Sequence, residues 1–267
     1  MKKTDRMVAL TETLVSHPNE LFSLGFFAER FCTAKSTISE DLMEIKENLK
    51  ATGRGELKTI PGAAGGVKFL PSISKGEATA FLGQLAETLS TPSRILPGGF
   101  LYMADVLYDP KILNPLGLIF ATFFRGKNPE VVVTIETKGI PLALATAEAL
   151  GISTVVVRHG NKVTEGSSVS INYISGSSKK IQTMSLAKRA LEPGKKVLII
   201  DDFIKAGGTV KGIISLMQEF EAEVVGLGIL MEDMLWKAPR LVNNYLALLQ
   251  FGDPQSEKNI IRFKTPL

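Results

Sequence analysis

Val197-Leu198-Ile199-Ile200-Asp201-Asp202-Phe203-Ile204-Lys205-Ala206-Gly207-Gly208-Thr209 decides how the larger part of this chain folds. Four apolar residues in a row read as a buried parallel strand. Two carboxylates stand at its carboxyl end, and a Gly-Gly loop closed by Thr209 follows. Val210, Ile213, Ile214, Met217 and Phe220 then recur at helical spacing. Strand, acidic pair, glycine loop and helix N-terminus, in that order, bring backbone N–H groups to an anion at the positive end of a helix dipole. Paired aspartates suit hydrogen bonding to vicinal sugar hydroxyls or to a hydrated cation. A phosphate and a ribose side by side describe a ribose 5-phosphate. Sitting at a strand end, both acids are expected to face solvent. A plain βα turn would explain a bare Asp-Asp, but not the whole stretch.

Working outward, Val131–Ile135 is a second buried strand, followed by Glu136-Thr137-Lys138-Gly139 and a helix through Ile140, Leu144, Ala147 and Leu150. Thr154–Val157 is the next strand, so the segment forms a right-handed βαβ unit. Its first turn should open at the same sheet edge as Asp201 and Asp202. Arg158 and Lys162 follow that strand, with His159 between them expected to be solvated. From 163 to 185 the chain turns polar and reads as a mobile hairpin in which Tyr173 packs. Glu223–Met231 reads as a strand, Leu235–Phe251 (with Trp236) as a helix, and Asn259–Phe263 as an edge strand.

The 197–209 stretch resembles the phosphoribosyl pyrophosphate (PRPP) binding motif of type I phosphoribosyltransferases. That resemblance implies that Asp201 and Asp202 contact the ribose hydroxyls and that Lys205, Ala206, Gly207, Gly208 and Thr209 form the 5-phosphate loop. It makes Thr137, Lys138 and Gly139 the diphosphate loop, places Arg158 and Lys162 at basic positions near the diphosphate, and makes 163–185 a hood. One position departs: Lys205 stands where the enzymes carry a small residue or, in one branch, a catalytic aspartate. The reversed charge counts against transferase chemistry.

Between the two parts lie a linker at Pro71–Ser74 and helices at Glu77–Leu89, up to about Tyr108, and at Ile112–Phe124; the last carries the apolar stripe Leu113, Leu116, Phe120 and Phe123. Its Leu96-Pro97-Gly98 turn is similar to the xanthine phosphoribosyltransferase branch. By that likeness Phe100 and Tyr102 are candidates for a purine-side contact, with simple packing as the competing reading.

At the N-terminus, Met7, Leu10 and Leu14 mark a helix ended by His17-Pro18, and a short helix after Leu21-Phe22-Ser23 offers Phe26, Phe27 and Phe31 to a core. Ile38, Leu42, Ile45 and Leu49 then form a buried stripe, with Lys35, Ser36, Thr37 and Ser39 opposite at the helix start. A recognition helix is built this way, apolar behind and small or basic where it approaches the groove. Glu56–Ile60 and Val67–Leu70, joined by a glycine-rich tip, make a wing carrying Arg54, Lys58 and Lys68, which could meet phosphates. The whole resembles a winged helix-turn-helix. Residues 1–70 hold nearly as many acids as bases, so Glu40, Asp41 and Glu44 must face away from any duplex.

At 267 residues and 45% apolar content the chain supports one large domain or two smaller ones. The boundary is expected at 73/74. The single Cys32, expected to be a small core residue, excludes a disulfide framework, and two histidines with it cannot build a zinc site. With no run of roughly 18 apolar residues, a soluble cytoplasmic protein without membrane attachment is expected. The net charge of +4 hints mildly at anionic partners.

The expected fold class is α/β: a winged helix-turn-helix, 1–73, then a type I phosphoribosyltransferase-like domain, 74–267, with a mostly parallel sheet flanked by helices. This combination resembles the purine operon repressors of Gram-positive bacteria. The resemblance implies a homodimeric repressor bound to double-stranded operator DNA, no catalytic residues and no catalytic cofactor. It further implies PRPP as inducer, with or without Mg2+, and purine nucleotides as competitors for its site. The alternatives are an active purine phosphoribosyltransferase with an accessory N-terminal domain and a ribonucleotide-binding scaffold without DNA contact.

Overall fold

The computed structural model describes residues 1–97, 100–161, 164, 166–175 and 180–252, together with the backbone of 262–263. The chain divides into two compact units, Met1–Ser74 with Ala149–Gly151, and Lys75–Glu148 with Ile152–Leu267.

In the first unit three helices, α1 (Lys3–Ser16), α2 (Leu24–Arg30) and α3 (Lys35–Ala51), precede an antiparallel hairpin of β1 (Gly55–Ile60) and β2 (Gly66–Pro71). Ser23 caps α2 by accepting from the Phe26 N–H. His17 ends α1 with a ring nitrogen 2.9 Å from the Thr13 carbonyl. Leu10, Leu14, Phe27, Phe31, Ile38, Leu42, Ile45, Leu57 and Phe69 close over one core. Burying Phe27 completely is worth about 1.5–3 kcal/mol. Phe26, expected in this core, is instead exposed on the outer face of α2. So is Cys32: the residue after the α2 cap turns into the left-handed region (φ 49°), which swings its side chain outward.

Phe22 bridges antiparallel to Val67, giving the hairpin a third short strand. Gly66 must lie under it, because a Cβ there would stand 2.2 Å from the Phe22 carbonyl oxygen.

The second unit is organised by an eight-stranded sheet in the order β12 (Arg262–Phe263), β11 (Leu246–Phe251), β10 (Glu223–Asp233), β9 (Lys196–Ile204), β5 (Val131–Ile135), β6 (Ser153–His159), β8 (Ile181–Ala187), β7 (Ser168–Ile174). The run from β11 to β6 is parallel, while β12, β8 and β7 join antiparallel. The chain winds outward from β5 to β6 in one direction and from β9 to β11 in the other. β5 and β9 therefore flank the topological switch point, where open parallel sheets bind ligands.

Val131, Val133, Ile135, Val197 and Ile199 point to the face covered by α8 (Gly208–Glu219) and the β7–β8 hairpin. The other face is crossed by α6 (Pro110–Phe124), whose Phe120 and Phe124 rings occupy space that side chains at Gly228 and Gly226 would fill. α7 (Gly139–Leu150) packs on α6, with Gly117 against the Ala145 backbone. α4 (Lys75–Leu89) and α5 (Ala104–Leu107) complete the helical layer, and a small hairpin of β3 (Ile95–Leu96) and β4 (Phe100–Leu101) stands between them in sequence. Of the α6 stripe, Leu113, Leu116 and Phe120 are buried and Phe123 is exposed.

Two expectations fail here. β9 continues to Ile204, so the two aspartates lie within the strand and not beyond it. Residues 235–251 are not a helix: 234–245 is irregular and Leu246–Phe251 is a strand beside β10. A short apolar run such as Leu246-Ala247-Leu248-Leu249 has no periodicity that separates strand from helix, and a neighbouring strand settled it.

Replacing Gly66 with Ala should cost about 1–3 kcal/mol through backbone overpacking. Urea denaturation followed in the first unit should show a lower midpoint, and an unchanged midpoint would mean that the Phe22–Val67 bridge tolerates a side chain.

Candidate functional site

Parallel register brings the C-terminal ends of β5 and β9 together. A Cβ at Gly139 would stand 2.4 Å from Thr134 Oγ1 and 2.9 Å from Asp201 Oδ1, so the turn after β5 runs directly against the first aspartate. The Glu136–Thr137 peptide in that turn is cis. Thr137 and Lys138 are exposed at its tip, and Gly139 is buried. Arg158, at the end of β6, donates to Glu136 Oε2 at 3.3 Å, and the His159 N–H donates to Oε1 at 2.6 Å. Glu136 thus ties the turn to the next strand, and the His159 ring is exposed as expected. Lys162 lies outside the described residues, as do Val163, Glu165 and the 176–179 tip of the hairpin.

Asp201 is only 5% exposed, contrary to the expectation that both acids face solvent. Its place inside a strand covered on both faces buries it, and its Oδ1 accepts from the Asp202 N–H at 2.9 Å. Burial, and then the Asp202 charge, push its carboxyl well above the ordinary carboxylate range. Asp202 is half-buried; burial raises it too, opposed by its neighbour Asp201 and by the Lys138 charge. Ala206, Gly207 and Gly208 are buried and Thr209 is half-buried. Gly207 takes φ 82° at the N-cap of α8, so the helix begins with its amides at the mouth of this turn. Tyr173, whose hydroxyl donates to Gln182 at 2.7 Å, packs against α8 at Gly212. Burial raises its pKa. Phe100 and Tyr102 are exposed on and beside β4, where Arg94 makes a two-pronged pair with Asp105 at 2.8 and 2.7 Å.

In the first unit two acids of α3, Asp41 and Glu44, are paired with bases of α1, while Glu40 and Glu47 are exposed. Asp41, 1% exposed, receives Arg6 Nε at 2.5 Å, and the pairing raises the arginine's pKa. Glu44 pairs with Lys3. The free face of α3 carries Lys35, Ser36 and Ser39, all exposed, with Thr37 half-buried. Lys58 and Lys68 sit directly opposite across the wing, and Arg54 is exposed at its root. Like charges in opposed positions repel unless an anion lies between them. A groove of about 520 Å³ runs between α3 and the wing, lined by Lys35, Ser39, Met43, Lys46, Thr59 and Gly62.

Family models match both parts: bacterial purine repressor, N-terminal, over residues 2–71, and phosphoribosyl transferase domain over 109–240. The purine biosynthesis transcriptional repressor PurR of Bacillus subtilis is 52% identical over 248 residues, covering 93% of this chain and 87% of that protein. This chain belongs to the PurR family. The purine biosynthesis transcriptional activator PurR of Lactococcus lactis is 41% identical over 250 residues, 94% of this chain and 92% of that one. Among solved structures, adenine phosphoribosyltransferase from Rhodothermus marinus superposes with a TM-score of 0.54 at 26% identity, over 64% of this chain and 99% of that one. The winged-helix and phosphoribosyltransferase-like architecture expected from the sequence is therefore that of the PurR family.

Sequence reasoning missed Met43 and Lys46 because they lie about two to three turns along α3, beyond its polar start. It also missed Arg240, Glu232 and Tyr245, which meet behind the glycine turn: the Tyr245 hydroxyl donates to Glu232 at 2.8 Å, and burial with that carboxylate pushes the tyrosine up to about 12. The available signal was Pro239 and Asn243-Asn244, which sit poorly within a helix.

A raised carboxyl pKa makes stability fall as pH rises from its ordinary value through the folded one, since the native state holds a proton the unfolded chain has released. Asp201→Asn should therefore melt higher than wild type at neutral pH and near parity in acid. Melting temperatures across that range are the check; a variant that melts lower at every pH contradicts the assignment.

Proposed function

We propose that this protein represses transcription of purine-synthesis genes by binding operator DNA with α3 and the wing, and releases it when PRPP binds at the β5–β9 switch point. The observation that carries the reading is the meeting of Asp201, Asp202 and the α8 N-terminus with the Thr137–Gly139 turn in a chain that also has a winged helix. The helix amides and dipole suit the 5-phosphate. Asp202, the more accessible acid, suits a ribose hydroxyl, and Lys138 beside it suits the diphosphate. Asp201 is costly to bury charged, and a sugar hydroxyl donating to it would offset part of that cost. Any Mg2+ would travel with the diphosphate, since among the described residues no three ligating side chains converge. Purine nucleotides would compete for the same cradle, with Phe100 and Tyr102 as candidates for their base.

The protein acts as a sensor and not as a transferase. Lys205 stands where the enzymes it resembles carry a small residue or, in one branch, a catalytic aspartate, and its ammonium lies 3.5 Å from the buried Asp233 carboxylate. Incubation with PRPP and each common purine base should release no nucleoside monophosphate, and steady turnover would refute the reading.

A single winged helix touches few bases, so tight binding requires a homodimer on paired half-sites. Lys58→Ala and Lys68→Ala should each weaken operator binding about equally for all sequences and flatten its salt dependence by about one unit of slope. Fluorescence anisotropy at several salt concentrations measures this, and unchanged slopes would place the wing away from the duplex.

A ligand shifts a two-state equilibrium only by its differential affinity, and moving a repressor from almost fully bound to almost fully free takes roughly 5 kcal/mol. Asp202→Ala spares the buried acid and should bind the operator normally while losing release by PRPP. A gel shift with increasing PRPP decides it: full release at the wild-type concentration would show that this acid is not part of the sensor.

A further inference from the structure

We infer that Arg240, on the irregular segment between β10 and β11, is the positioning residue that holds the Lys205–Gly208 turn in its anion-binding shape, an inference that rests on the reading of that turn as the 5-phosphate cradle. Lys205, Ala206 and Gly207, between β9 and α8, have no regular secondary structure to fix their peptide planes. The rear of the turn is held from outside instead. Arg240 Nε donates to the Lys205 carbonyl at 3.1 Å, and the Leu241 N–H donates to the Ala206 carbonyl at 2.9 Å.

In a trans peptide the C=O and the following N–H point in opposite directions. Turning the Lys205 and Ala206 carbonyls towards the 240–241 strap therefore turns the Ala206 and Gly207 N–H groups away from it, into the mouth of the turn. The strap is in direct contact: a Cβ at Gly207 would stand 3.0 Å from Val242 Cγ2.

The other end of the guanidinium is anchored to the sheet. Nη2 donates to the Asp233 carbonyl at 2.6 Å, and Nη1 lies 3.9 Å from Glu232 Oε2. Glu232 is held in turn by Tyr245 and by Gln250 Nε2 at 2.5 Å. One planar fork thus links the glycine turn to the end of β10, a geometry an arginine provides and a lysine does not.

The experiment is calorimetric titration of PRPP into wild type, Arg240→Gln, Arg240→Lys and the double variant Glu232→Gln/Arg240→Gln, with melting temperatures of each protein without ligand. Both single variants should bind about ten- to a hundredfold more weakly, the scale on which outer-shell partners act at metal sites. The double variant removes both charges, so it should regain melting temperature and not affinity. Wild-type affinity in Arg240→Lys or in the double variant would show Arg240 to be only a counter-ion for Glu232, and would overturn the inference. Wild type that binds no PRPP would refute the cradle and the brace with it, a result distinct from binding that survives every substitution, which refutes the brace alone.

Discussion

The second unit depends on one constraint, the parallel pairing of β5 with β9 at the point where the sheet's winding reverses. Both strands are buried on both faces, so their polar ends can emerge only at one edge. At that edge the Thr137–Gly139 turn meets the Asp201–Asp202 pair. Gly139 is required there because anything larger would collide with Thr134 and Asp201. The price of this arrangement is a carboxylate inside the sheet, whose ionisation is opposed by its own burial and by its neighbour's charge.

The first unit sorts its charges by the same economy of space. Arg6 and Lys3 on α1 take up Asp41 and Glu44, so the near-neutral composition of this unit conceals a face of α3 on which Lys35, Ser36 and Ser39 stand clear. The opposed Lys58 and Lys68 place two further positive charges on the wing. A balance of charges summed over residues says little about field; the pairing pattern decides it.

Much of the molecule was legible in the sequence. The 197–209 stretch announced strand, acids, glycine turn and helix because each residue type there has a narrow set of uses. The three N-terminal helices and the wing followed from apolar spacing and glycine placement, and the βαβ unit from apolar runs of strand length. These are local properties: periodicity, chain reversal and capping are settled by neighbours along the chain.

What the sequence could not decide was anything set by neighbours across the fold. Burial of Asp201 depends on layers covering both faces of β9, and exposure of Cys32 depends on one backbone dihedral after α2. Leu246–Phe251 became a strand because β10 offered an open edge, and the segment before it became the rear wall of the glycine turn for the same reason. A residue such as Arg240 carries no local signature of its work, since the carbonyls it holds lie on two other segments of the chain. Local chemistry named the turn that could bind an anion; only the packing of distant segments fixed which way its amides point.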